Sequence, residues 1–252
     1  MKPRRNIRLL LEYDGTGYHG WQRQADAATI QQTLEEALER LTGEAVVLIG
    51  SGRTDAGVHA LGQVANFRLN SAIPLKAFHE GLNSLLPKDI AVLAAQEAPP
   101  EFHARKSARA KTYEYRILNR GNRSPLHHHY AWWIAPRLDL PAMAAAAAFL
   151  PGEHDFTAFR ASGSDNKNPV RQVLAAGWRD EPGGWLSFTI TATGFLRGMV
   201  RSLVGTMVEA GRGKAPATKL AELLASGARQ DTGPTAPPQG LYLLEVYYEQ
   251  EA

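Results

Sequence analysis

Apolar residues in this chain switch repeatedly between strand-like and helical spacing, and that alternation restricts the fold more than any other feature. IRLLLEYD at 7–14 is an apolar run of the length of a buried strand. TIQQTLEEALERLTG follows with Ile30, Leu34, Leu38 and Leu41 on one helical face, Thr29 as N-cap, Gln32 completing a capping box and Gly43 just past the end. AVVLIGSG at 45–52 reads as a strand entering a glycine turn. Pro74 opens a second helix through LKAFHEGLNSLL, DIAVLAAQEA at 89–98 reads as a strand, and Pro99 and Pro100 close a half-chain.

KTYEYRIL at 111–118 alternates strictly, with Tyr113, Tyr115 and Ile117 on one face and Thr112, Glu114 and Arg116 on the other, which predicts a strand. The remainder repeats the mixture. A helix near 140–150 precedes the strands VLAAGWRD and GWLSFTITAT; the helices FLRGMVRSLVGTMVEAG (195–211) and TKLAELLAS and the strand LYLLEVYYE follow. No internal sequence repeat is evident, and strands adjoining hairpin-type turns argue against a purely parallel sheet. A mixed α+β fold is expected.

A chain of 252 residues buries a substantial core, as one large domain or two smaller halves. It has no cysteine, which excludes thiolate nucleophiles and Cys-type metal sites and fits a reducing compartment. The basic MKPRRN is followed by an apolar run interrupted at Glu12 and Asp14, too early for a signal peptide. No apolar stretch approaches the ~20 residues of a membrane span, and PAMAAAAAFL at 141–150 reads as an ordinary helix. A soluble, cytoplasmic protein is expected.

The net charge of +3 is unevenly spread. Between Arg105 and Arg123 seven cations (Arg105, Lys106, Arg109, Lys111, Arg116, Arg120, Arg123) face one acid, Glu114, a local charge of +6. Tyr113 and Tyr115 lie within the segment, so phosphate-binding charge and rings able to stack on bases occur together. A solvated charged strand is the plainer reading of the same segment.

Several constellations carry less. Gly15, Gly17 and Gly20 have GxGxxG spacing, but Trp21 to Gln24 intervene and helical marks start only near Thr29, so no helix N-terminus meets a pyrophosphate. His127, His128 and His129 are adjacent, and neighbouring side chains on an extended segment diverge; a surface loop is expected. Ser107 with His103, and Ser51 near His59, lack a nucleophile elbow and an orienting acid. On a helix through 195–208, Arg197 and Arg201 would share a face at i, i+4, placing one arginine to serve a buried acid. Asp55 is the candidate acid, in GSGRTDAGVHALGQVANF at 50–67, where three glycines fall within eight residues just after an apolar run.

That stretch, with YHGWQRQ at 18–24, FHARKSARAKTYEY at 102–115, GFLRGMVRSLVG at 194–205 and GLYLLEV at 240–246, closely resembles the bacterial tRNA pseudouridine synthase A family. The motifs keep the family's order over nearly the whole chain. The resemblance implies a pseudouridine synthase fold: two ferredoxin-like halves joined by a mixed, mostly antiparallel central sheet with flanking helices and a catalytic cleft. The halves are expected at 1–104, carrying the acid, and 105–252. It implies conversion of uridine to pseudouridine at positions 38, 39 and 40 of the tRNA anticodon stem-loop, by a homodimer, with no cofactor and no metal.

The family's catalytic carboxylate falls on Asp55, to attack C1′ of the ribose or remove a proton from C2′. Arg201, from the MVR motif, is the guanidinium that favours its charged form. The resemblance further implies that Arg53 evicts the target nucleotide and holds it out, that Tyr113 stacks on the uracil and that Leu241 forms the opposite apolar wall; Tyr115, on the same strand face, is expected in the core. The variable segment SGSDNKNP at 162–169 receives no role. A non-catalytic RNA-binding protein would explain the basic segment but has no use for Asp55, an acid that repels phosphate.

Overall fold

A computed structural model of the chain describes residues 4–161 and 168–249, so most of the variable segment lies outside the described residues. The chain forms two compact units, Met1–Arg109 with Leu243–Ala252, and Ala110–Tyr242.

The first unit runs β1 (Arg5–Tyr13), α1 (Ile30–Thr42), β2 (Ile49–Gly50), β3 (His59–Leu69), a wide helical turn at Ala77–Gly81 continuing into α2 (Leu82–Leu85), and β4 (Ile90–Ala98). The strands lie in the order β4, β1, β3, β2, every neighbour antiparallel, with Arg5 opposite Leu69 and Gly50 opposite Ala65. This βαββαβ progression is the ferredoxin-like arrangement. Its core joins Ile7, Leu9 and Leu11 of β1 to Ile30, Leu34 and Leu38 of α1, all fully buried. Each such side chain contributes roughly 1.5–3 kcal/mol by leaving water.

Thr29 caps α1 by accepting from the Gln32 N–H at 3.4 Å, and Gly43 ends the helix at φ 70°. The capping box is half formed, because the Gln32 side chain donates to Glu36 Oε1 at 2.8 Å. The strand expected over 45–52 shrinks to two residues for a related reason. Gln31 and Glu35 on the buried face of α1 take both backbone groups of Leu48, its carbonyl at 3.1 Å and its N–H at 3.0 Å, which a longer ladder would have used. β3 is a strand that no sequence pattern announces. Its buried positions are nearly continuous, with polar Gln63 and Asn66 among them. Asn66 donates to Asn6 Oδ1 at 2.8 Å and accepts from the Ala104 N–H at 2.8 Å, so its burial leaves no hydrogen bond unmade.

The second unit runs β5 (Ala110–Asn119), β6 (Trp132–Ile134), α3 (Leu140–Ala147), β7 (Gly152–Asp155), β8 (Val170–Glu181), β9 (Trp185–Ala192), α4 (Met199–Gly211) and α5 (Lys219–Ser226). It ends in the first residues of β10 (Leu241–Tyr247). β5, β9, β8 and β7 are neighbours in that order and antiparallel, while β6 pairs parallel with Ile117–Asn119. The sheet is therefore mixed and mostly antiparallel, and the α+β expectation holds. Setting aside the inserted β6 and β7, β5, α3, β8, β9 and α4 repeat the progression of the first unit, although no sequence repeat announces it.

α4 starts four residues later than the pattern predicts. Gly198 stands before it at φ 72°, a left-handed conformation that L side chains avoid, so Phe195 to Arg197 lie outside the helix. Arg197 and Arg201 consequently do not form an i, i+4 pair; the Arg197 carbonyl instead accepts from Ala161 N–H at 2.9 Å. Among the described residues no helix is long and apolar enough to cross a membrane.

Candidate active site

Between β2 and β3 the chain makes a loop, 51–58, in which exposed Arg53 and half-buried Asp55 flank buried Thr54. A turn of the same unit, 15–21, supports the loop from one side. Trp21 N–H donates to the Thr54 carbonyl at 3.1 Å and Gly57 N–H to the Tyr18 carbonyl at 3.3 Å, while Val58 N–H closes a turn on the Asp55 carbonyl at 3.1 Å. Gly20, at φ 88°, approaches so closely that a Cβ there would sit 2.6 Å from the Thr54 oxygen and 3.1 Å from the Asp55 carbonyl carbon. Any other residue would displace the backbone that carries the acid.

A buried polar floor holds the loop from beneath. Thr54 Oγ1 and the Tyr13 hydroxyl share a hydrogen bond of 2.8 Å. Gln63 on β3 donates to the Gly52 carbonyl at 3.0 Å and to Tyr13 at 3.4 Å, and accepts from Ser51 Oγ at 2.7 Å. Burial pushes the Tyr13 hydroxyl up to about 12, against the opposing influence of its bonds with Thr54 and Gln63. No role for Tyr13 or Gln63 follows from the sequence; the available signal for Gln63 is its place in the GSGRTDAGVHALGQVANF stretch. Ser51 is engaged with Gln63, and buried His59 has Nδ1 at 3.1 Å from both Gly15 N and Asp14 Oδ1. These contacts give both residues structural work.

Arg53 donates its Nε–H to Gln22 Oε1 at 3.1 Å. Gln22 belongs to the YHGWQRQ motif, whose function the sequence did not reveal.

The second unit positions the other expected residues. Tyr113 on β5 is buried with its ring edge-on to Phe195, centroids 4.9 Å apart. Tyr115, two residues on, is fully buried and donates to the Pro237 carbonyl at 2.7 Å, which makes it a core residue as expected. Burial raises its hydroxyl well above the usual range, opposed by the charge of Arg201. Arg201 lies in the first turn of α4. Its Nε donates to the Ala236 carbonyl at 2.8 Å and its own carbonyl accepts from Ala236 N–H at 3.1 Å, so Ala236 holds the residue once by its side chain and once by its backbone. Leu241, buried, follows a single helical turn at Pro238–Gly240.

The basic segment is partly structural. Arg109 pairs with Glu249; Arg116 donates to Glu114 Oε1 at 2.6 Å and lies 4.0 Å above the Tyr242 ring. Arg105, Lys106, Arg120 and Arg123 are exposed. His127, His128 and His129 sit in exposed turns, and His103 with Ser107 closes a turn through its backbone.

The first unit thus supplies a carboxylate on a fixed backbone beside an outward guanidinium; the second supplies a buried ring, a tethered cation and an apolar side chain. A carboxylate held on a fixed backbone suits attack on carbon or abstraction of a proton. A family model described as tRNA pseudouridine synthase matches residues 10–105 and 145–249. The tRNA pseudouridine synthase A of Citrifermentans bemidjiense is 50% identical over 248 residues, covering 98% of this chain and 99% of its own. That of Myxococcus xanthus is 49% identical over 242 residues, with 96% and 91% covered, and that of Acetivibrio thermocellus 48% over 244, with 97% and 100% covered.

Proposed function

The chain belongs to the tRNA pseudouridine synthase family, an isomerase family, and on that premise we propose that Asp55 is the carboxylate with which it converts uridine to pseudouridine at positions 38, 39 and 40 of the tRNA anticodon stem-loop. The reaction conserves every atom. The N1–C1′ bond breaks, the uracil turns while held, a C5–C1′ bond forms, and the C5 hydrogen leaves as a proton while N1 becomes an N–H. A carboxylate opens the sequence by attacking C1′ or by taking a proton from C2′.

The other residues divide the remaining work. A stacked base is out of reach, so the enzyme offsets an unstacking cost of a few kcal/mol with contacts to the flipped nucleotide. Arg53 holds that nucleotide out. Tyr113 stacks on the uracil, Leu241 forms an apolar wall opposite it, and Arg201 supplies the positive charge that partners the acid. In this reading residues 1–104 carry the acid and 105–252 carry Tyr113, Arg201 and Leu241. The working form is a cytoplasmic homodimer, as the family resemblance implies.

The observation that carries the reading is the fixation of the Asp55 backbone by the 15–21 turn and the buried Tyr13, Thr54 and Gln63 floor. Such rigidity is what a reacting group needs and a solvated acid does not. The test is Asp55→Ala on tRNA labelled with tritium at C5 of uridine. Retained tRNA binding with no tritium release is expected; turnover at the wild-type rate would remove Asp55 from the mechanism.

A further inference from the structure

Four side chains of the first unit form a hydrogen-bonded line from α1 to Arg53. At its base is Glu35, buried and paired with Arg23 Nη1 at 3.0 Å. A carboxylate only accepts, and Glu35 Oε1 takes Gln31 Nε2 at 2.9 Å and Leu48 N–H at 3.0 Å. The second amide hydrogen of Gln31 goes to the Leu48 carbonyl at 3.1 Å. Gln31 Oε1 must then face the other way, where it accepts from Gln22 Nε2 at 2.8 Å and Arg23 N–H at 3.0 Å. Gln22 has used its amide nitrogen inward, so its oxygen points to Arg53 and accepts the Nε–H at 3.1 Å.

The carboxylate therefore sets the direction of both glutamines. Reversing Gln22 would set an amide N–H against a guanidinium N–H and an oxygen against the Gln31 oxygen. Among the described residues no protein partner takes the Nη1 or Nη2 hydrogens of Arg53. With Nε occupied, the guanidinium is left to grip a ligand end-on through those two nitrogens, a geometry that fits paired phosphate oxygens.

We propose that Gln22 is a positioning residue that commits Arg53 to an end-on grip on the RNA backbone at the evicted nucleotide. The inference rests on the reading of Arg53 given above and adds how its side chain is aimed. Aiming in advance lessens the rotamer freedom that Arg53 loses when RNA binds.

The experiment is a double-mutant cycle with Gln22→Met, which keeps the length and removes the acceptor, and Arg53→Ala, read by C5 tritium release and tRNA binding. Gln22→Met alone is expected to lower kcat/KM about tenfold, with an unchanged melting temperature because the side chain is exposed. In the Arg53→Ala background the same substitution should change nothing beyond about twofold. Additive effects, or no effect of Gln22→Met in the wild-type background, would overturn the coupling while leaving the role of Arg53 intact. An Arg53→Ala enzyme with normal turnover would instead remove Arg53 from the mechanism, and the inference with it.

Discussion

Thr54 is the residue on which the placement of Asp55 turns, since it joins the acid's backbone to the buried hydroxyl of Tyr13. Thr54→Val keeps the shape and removes that bond, leaving Tyr13 with the longer 3.4 Å contact to Gln63. A loss of about 1–2 kcal/mol in urea unfolding is expected, with kcat falling more than KM changes because the acid shifts while the RNA-binding surface stays. Equal effects on both would place Thr54 outside the support of the acid. Arg201→Met should likewise slow turnover far more than it weakens tRNA binding; a normal rate across neutral pH would dismiss Arg201. Asp55, Arg53 and Arg201 are proposed from motifs that are specific to the family. Tyr13 and Gln63 were not legible, since a buried polar side chain is recognisable only by partners distant in sequence: the two lie 50 residues apart. Gln22, exposed, shows its part only through the partners it joins.

At the scale of the element, the sequence located most strands and helices but misjudged ends decided by tertiary contacts. α4 was read from Phe195 because the apolar period persists there, yet Gly198 adopts a left-handed conformation and starts the helix at Met199. β2 was read as eight residues because its composition suits a strand, yet Gln31 and Glu35 claim the Leu48 backbone. β3 showed neither period, as both of its faces are covered. The α4 account makes a prediction. Gly198→Ala must hold a left-handed alanine, at about 1–2 kcal/mol, and its Cβ would lie 3.2 Å from Ala161 Cβ. Stability in urea should drop by about that amount, and turnover should fall as well because Arg201 rides on the first turn. An alanine variant as stable as the parent would show that the helix can start earlier at no cost.

For the whole molecule, the α+β class was legible from alternating periods, whereas the strand order within each unit was not, because pairing is settled by which faces meet. Both units reached the same progression of elements without sharing a sequence pattern, as expected when packing layered elements around one core leaves few solutions. Both also bury tyrosines, which couples their stability to alkali in one direction. Burial raises Tyr13, Tyr18 and Tyr248 in the first unit and Tyr115 in the second. Tyr13 ionises near 10 when unfolded and at about 12 when folded. Below pH 10 both states keep the proton and stability is intact; between pH 10 and 12 only the unfolded state releases it, so stability falls, by roughly 3 kcal/mol for this residue alone. The other raised hydroxyls push the same way. Circular dichroism should therefore show urea midpoints that drop steeply above pH 10. Tyr13→Phe, less stable at neutral pH for want of the Thr54 bond, should close part of its gap to the parent across that window; a gap that stays constant to pH 12 would mean that Tyr13 is not the residue carrying the alkaline loss.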